Sequence, residues 1–208
     1  SCQSAFINRL IMTNLKALFS SPRWVGLSVA LFAFAVYMKT LAPSVTFIDS
    51  GELAAVACTL GIAHPTGYPL FTLLGWVFSK LPLGGEEIFR LNIMAAVLCA
   101  AGVFVFFQLM HMLLTVVTKR KTDTAMLVAS SGASLLLAFS ETYWSQATSI
   151  EVYSLHVLFL SLTLFCFVKA NFYSRSEMEI GNGNRRLSET SWWMMFAFTL
   201  GLAFTNHM

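Results

Sequence analysis

Five long apolar stretches constrain this chain more than any other feature: Trp24 to Leu41, Leu91 to Thr118, Thr124 to Phe139, Val152 to Phe172 and Trp192 to Met208. A helix needs about 17 to 25 mostly apolar residues to cross a bilayer. Only helices and closed barrels can satisfy their backbone polar groups inside lipid. The reading is an all-α, polytopic membrane protein with five spanning helices. With 57% hydrophobic and 11% charged residues, the chain carries too little polar surface for an ordinary soluble domain. Trp24 to Leu41 is longer than the apolar part of a secretory signal and has no small-residue cleavage site after it, so it reads as a signal anchor. The chain starts at Ser1 and stops at Met208 within an apolar run, and it is expected to be the N-terminal part of a larger protein.

Charge orders the helices. The flanks Arg9, Lys16 and Arg23, the cluster Lys119 to Lys121, and Lys169, Arg175, Arg185 and Arg186 fall on one side if Pro69 to Leu81, short for a span, stays on the surface. If that segment crossed, the later basic clusters would move to the other side. The positive-inside rule therefore favours a long outer loop from about Ala42 to Phe89, carrying one or two interfacial helices. Asp49, Glu52, Glu86, Glu87, Glu141 and Glu151 then lie outside, six of the ten acidic residues. The net charge of +3 marks topology and gives no sign of a nucleic-acid partner. Cys2, Cys58, Cys99 and Cys166 are scattered, with neither a disulfide framework nor metal-ligand spacing. The inner segment "SRSEMEIGNGNRRLSET" reads as a solvated connector, and no solenoid repeat is present.

The outer loop opens with "TFIDSGELAAVACTLGIAHPTGYPLF". Asp49 with Glu52 three residues on is close to a capping box and would start a helix over "LAAVACTLGIA". Capping does not account for "HPTGYP", where Pro65, Gly67 and Pro69 hold a turn beside His64 and Tyr68. An outward-facing acid near lipid depth suits a general base, so Asp49 is the candidate base and Glu52 its helper or orienting group. Arg90, at the outer end of the second span, could pair with a lipid phosphate; it could equally snorkel at the interface. Glu151 and Tyr153 open the fourth span on the same outer side, where the helix dipole also favours an acid. His64 is either a ligand-binding or a turn-stabilising group. Asn206 and His207 end the chain at the outer boundary of the fifth span, while His111 and His156 lie within apolar helices, as packing residues do.

"DSGELAAVACTLGIAHPTGYPLFTLLGWVFSKLP", "RLNIMAAVL", "YWSQATSIEVYSLH" and "GLAFTNHM", in this order, resemble the transmembrane O-mannosyltransferases related to transmembrane protein 260. The resemblance runs from Thr46 to Met208, with Thr66 standing where the family's usual pattern has Pro. It implies a GT-C-like helical bundle, an essential acid at the position of Asp49, and substrate-binding roles for His64, Tyr68, Arg90, Asn92, Glu151, Tyr153, Asn206 and His207. It also implies transfer of a sugar, expected to be mannose, from a polyprenyl-phosphate donor to Ser or Thr of a protein acceptor. The active face would be periplasmic, extracytoplasmic or in the ER lumen. No metal ligand is assigned and metal dependence is left open. Two other readings remain: a related enzyme that glycosylates a lipid or glycan, and a transporter, whose ionisable groups should lie near the bilayer midplane rather than at helix ends.

Overall fold

The computed structural model describes residues 21–46, 49–65, 67–180 and 183–206. Eight helices and no strand occupy them: α1 (Pro22–Lys39), α2 (Ser50–Thr59), α3 (Pro69–Lys80), α4 (Glu87–Thr118), α5 (Thr124–Ala138), α6 (Glu141–Thr148), α7 (Val152–Ile180) and α8 (Gly183–Asn206). The all-α expectation is met. Local chemistry sets several boundaries. Pro22 and Pro69 stand in the first turns of α1 and α3, where the missing N–H has no helical partner to lose. Leu60 takes a left-handed conformation and ends α2, with its N–H and that of Gly61 both donating to Val56 O. The carboxylate of Asp123 accepts from Met126 N at 2.8 Å and caps α5.

Helices occupy all five apolar stretches, but their crossing capacity is unequal. By length and composition α4 and the Val152–Phe172 part of α7 can each cross a membrane, and the pair α5 and α6, bent by 66°, adds a third if it is one broken span. Length and composition thus mark two or three candidate spans among the described residues, beside the five apolar helices expected. α1 has 18 residues with Arg23 and Lys39 near its ends, and α8 begins with polar turns around Arg185 and Arg186, which lowers the apolar content of each. α3 has 12 residues, about 18 Å of rise, well short of a hydrocarbon core of about 30 Å.

α4 is the axis of the bundle. α1 lays Gly26, Ala30, Ala33 and Tyr37 inward at intervals of three or four residues, the small-residue face that lets helices approach closely in lipid. A Cβ on Gly26 would come within 2.6 Å of the Phe107 ring of α4, so any larger residue would force the two helices apart. Tyr37 OH donates to Ala138 O at 2.9 Å and Tyr143 OH to Cys99 O at 2.7 Å, which fastens the α5–α6 bend to α1 and α4. At the other side of the bundle end, α2 and α3 form a small layer. Gly75 of α3 packs so closely on Ala57 of α2 that a Cβ there would lie 2.7 Å away. Leu53, Ala57 and Phe71 of this layer share one core with Leu91 and Met94 of α4 and with Ile150 and Leu155 at the start of α7. The "DSGE" and "HPTGYP" segments are thereby set over the first turns of α4 and α7.

Candidate functional site

The expected capping box does not form. Asp49 occupies the N-cap position of α2 with φ −87° and ψ 0°, and its side chain makes no capping hydrogen bond. Ser50 performs the closure instead. Its Oγ accepts from Thr46 N at 2.9 Å and donates to Thr46 O at 3.1 Å, fully buried beneath the loop. Only the backbone oxygen of Asp49 serves the helix, accepting from Leu53 N at 2.9 Å. The physical reason is competition: a hydroxyl one position later already organises the turn, leaving the carboxylate of Asp49 half-buried and unclaimed by the helix end.

Glu52 does not reach back to the helix start either. Its Oε1 accepts from His64 N at 2.7 Å and its Oε2 lies 3.1 Å from His64 Nδ1. With a carboxylate as partner, Nδ1 carries the proton, and Nε2 lies 3.3 Å from Tyr68 OH. The rings of His64 and Tyr68 meet edge to face, with centroids 5.5 Å apart. Tyr68 is buried and holds φ +44°, a left-handed conformation costly for an aromatic residue, directly before Pro69 opens α3. Gly67, at φ +86°, makes the turn possible. His64 donating first through its backbone and then through its ring holds the Glu52 carboxyl below the usual carboxylate range. Glu52 is therefore an orienting group for the turn.

Asp49, Glu52 and His64 each present an atom within 4.8 Å of the other two. Such a set could hold a divalent cation, although the Glu52–His64 pairing already satisfies two of its members. Sequence reasoning assigned no metal ligands and missed this grouping. His64 is far from the acids along the chain, and only the left-handed end of α2 brings it back beside them. Glu151 lies close enough for the charge of Asp49 to act on it. Burial first, and then that charge, pushes the Glu151 carboxyl above its usual range.

Asn92 brings these segments together. It is fully buried, its Nδ2 donates to Ala42 O at 2.8 Å, and its Oδ1 accepts from Ile150 N at 2.8 Å. In this structure its polar atoms thus serve two loops. Ala42 N donates to Thr148 O at 2.9 Å and Trp144 Nε1 to Thr40 Oγ1 at 2.9 Å, closing the same junction.

The remaining candidates are placed unequally. Arg90 is half-buried; its Nη1 donates to Leu81 O at 3.3 Å, and its buried Nε has no hydrogen-bond partner among the described residues. Its partner lies at the end of α3 rather than among Asp49, Glu52 and His64. Tyr153 is exposed in the first turn of α7. Asn206 is fully buried at the end of α8, donates to Val152 O at 3.2 Å, and leaves Oδ1 without a partner among the described residues. It joins α8 to the start of α7 beside Glu151. His207 and Thr66 lie outside the described residues.

Comparison with known proteins gives a consistent result. Residues 49–208 match the family described as protein O-mannosyl-transferase TMEM260 N-terminal domain. The protein O-mannosyl-transferase TMEM260 of Mus musculus is 34% identical over 144 residues, covering 68% of this chain and 19% of the mouse protein. The protein O-mannosyl-transferase tmem260 of Dictyostelium discoideum is 31% identical over 133 residues, covering 62% of this chain and 15% of its own length. The chain thus spans less than a fifth of the length of each of these relatives. No solved structure matches it.

Proposed function

The chain belongs to the protein O-mannosyl-transferase TMEM260 N-terminal domain family, and from that membership and the geometry around Asp49 we propose that it forms part of a membrane glycosyltransferase. The enzyme moves a mannosyl group from a polyprenyl-phosphate donor to Ser or Thr hydroxyls of proteins, on the outer face of the membrane. One observation carries this reading: the Asp49 carboxylate stands at the mouth of α2 with no capping duty, beside the Glu52–His64 pair and Glu151.

In the reaction, the acceptor hydroxyl oxygen forms a bond to the anomeric carbon of the sugar while the bond from that carbon to the phosphate oxygen breaks. Asp49 takes the hydroxyl proton, and the electron pair leaves with the polyprenyl phosphate. Glu52 keeps His64 and Tyr68 in place beside the base through its two bonds to His64. Arg90, with its Nε unpartnered among the described residues, is the guanidinium assigned to the donor phosphate. Asn92 and Asn206 act as positioning residues through the backbone of Ala42, Ile150 and Val152. Asp49, Glu52 and Glu151 gather where α2, α4 and α7 begin, an arrangement that supports an enzyme at the membrane surface over a transporter with midplane charges.

The direct test incubates the full-length protein with polyprenyl-phosphate-mannose and Ser- or Thr-containing peptides. Addition of one hexose to a hydroxyl residue is expected. Transfer to lipid or glycan acceptors alone would reject the protein-acceptor reading.

A further inference from the structure

A cavity of about 630 Å³ lies at the opposite end of the bundle from Asp49. It is bounded by the first turn of α1, the last third of α4, the loop at Thr122, the middle of α7 and the apolar part of α8. His111, in its wall, is 19 residues past Asn92 on α4, about 28 Å along the helix. The cavity is thus separate from the candidate transfer site.

Three features identify what it takes. Its walls are mostly apolar, yet Arg23 and Lys169 line it, and no acidic residue is among the described residues that do. Lys169 Nζ lies 5.8 Å over the rings of both Phe165 and Trp192, which holds the ammonium against an aromatic rim. Trp at this depth is characteristic of the membrane interface. The second feature is His111: it is 8% exposed, and its Nε2 has no hydrogen-bond partner among the described residues. A buried ring nitrogen left unpaired is costly, and a ligand in the cavity that His111 lines would be near enough to supply a partner. His111 sits seven residues inside the end of α4, about 10 Å from it, and lines the same cavity as the two cations. The third is the mouth, where Thr122 follows the exposed triplet Lys119, Arg120 and Lys121. Such a cluster attracts an anionic membrane surface.

We propose that this cavity binds one anionic membrane phospholipid. Arg23 and Lys169 hold the headgroup phosphate, His111 Nε2 meets an ester oxygen beside it, and the acyl chains lie along the apolar walls. A zwitterionic lipid adds an ammonium beside Arg23 and Lys169 and binds less well. This inference does not rest on the transferase reading.

Native mass spectrometry of the full-length protein, purified in detergent and supplied with phosphatidylglycerol or phosphatidylcholine, tests it. The parent protein is expected to retain one phosphatidylglycerol at least tenfold more than phosphatidylcholine, and millimolar inorganic phosphate should not displace it. Arg23→Gln with Lys169→Gln should abolish the preference, His111→Phe should weaken retention of the lipid, and Lys80→Gln, at the other end of the bundle, should change neither. Arg23 is exposed, so Arg23→Gln alone carries the test if the double variant does not fold. Equal retention of the two lipids, an unchanged preference in the Arg23 and Lys169 variants, or displacement by inorganic phosphate would overturn the proposal.

Discussion

Glu52 and His64, twelve residues apart, are joined twice, through the His64 backbone N–H at 2.7 Å and through Nδ1 at 3.1 Å. This double contact closes the segment between α2 and α3 and fixes the ring of His64 beside Asp49. A carboxylate that binds a backbone N–H and a ring N–H together acts as a clamp, and its removal should be felt in the loop before it is felt in the helices.

The clamp should be acid-sensitive. The Glu52 carboxyl is held below its usual range, chiefly by the His64 backbone N–H. Its stabilising contribution is therefore complete above the ordinary carboxylate range and is lost as pH falls through the lowered value. Glu52→Gln should abolish that acid-dependent loosening, because Gln keeps an acceptor for His64 N but has no carboxyl to titrate. Hydrogen exchange at residues 61–65, followed from about pH 3 to about pH 7, should show the transition in the parent and none in the variant.

Glu151 should behave in the opposite sense. Burial and then the charge of Asp49 raise its carboxyl above the usual range, so the fold favours the protonated form. Its ionisation costs stability as pH rises from the ordinary value through the raised one, and the cost is constant above that. Asp49→Asn removes the second cause and leaves burial, so the Glu151 carboxyl should move part of the way back. Carbon-13 NMR titration of Glu side chains reads this; an unmoved Glu151 signal would mean that the two carboxylates do not sense each other.

Asn92 should matter as a clip. Asn92→Ala leaves Ile150 N and Ala42 O without their 2.8 Å partners, at a cost of about 1–3 kcal/mol for the buried Ile150 N–H and less for the half-buried Ala42 carbonyl. Thermal unfolding in detergent should show the loss. Asn92→Asp should recover only the Ile150 side of it, since a carboxylate can accept from N–H but cannot donate to Ala42 O.

Sidedness follows from the basic flanks. In a variant with its own cysteines replaced, a membrane-impermeant thiol reagent should label a cysteine at Ser145 from outside, and one at Thr122 only after permeabilisation. Both positions are exposed, so access depends on the membrane alone. Reversed labelling would move the Asp49 site to the inner face.

Much of the bundle was legible because membrane helices announce themselves by length and apolarity, and α4 and α7 do so plainly. α3 was legible as a helix too short to cross, with 12 residues. The Glu52–His64 contact was not, because it depends on Leu60 turning left-handed at the end of α2, a conformation its side chain does not advertise. Asp49 misled for a related reason: its spacing to Glu52 suited a capping box, but Ser50, one residue later, took over the closure of the turn. The bonds of Asn92 to Ala42 and Ile150 were not legible either, because sequence distance keeps those segments far from it.

The central claim is that Asp49 is a base and does not cap α2. Replacing a working N-cap usually costs about 1 kcal/mol, but Asp49 makes no capping bond, so Asp49→Asn and Asp49→Ala should both melt close to the parent protein. Both remove the proton acceptor, and the transfer rate should fall by about a hundredfold to ten-thousandfold in each. The most direct measurement is the rate of mannosyl transfer by folded Asp49→Asn protein at saturating donor: the account predicts that large loss, and transfer at near the parent rate would contradict it.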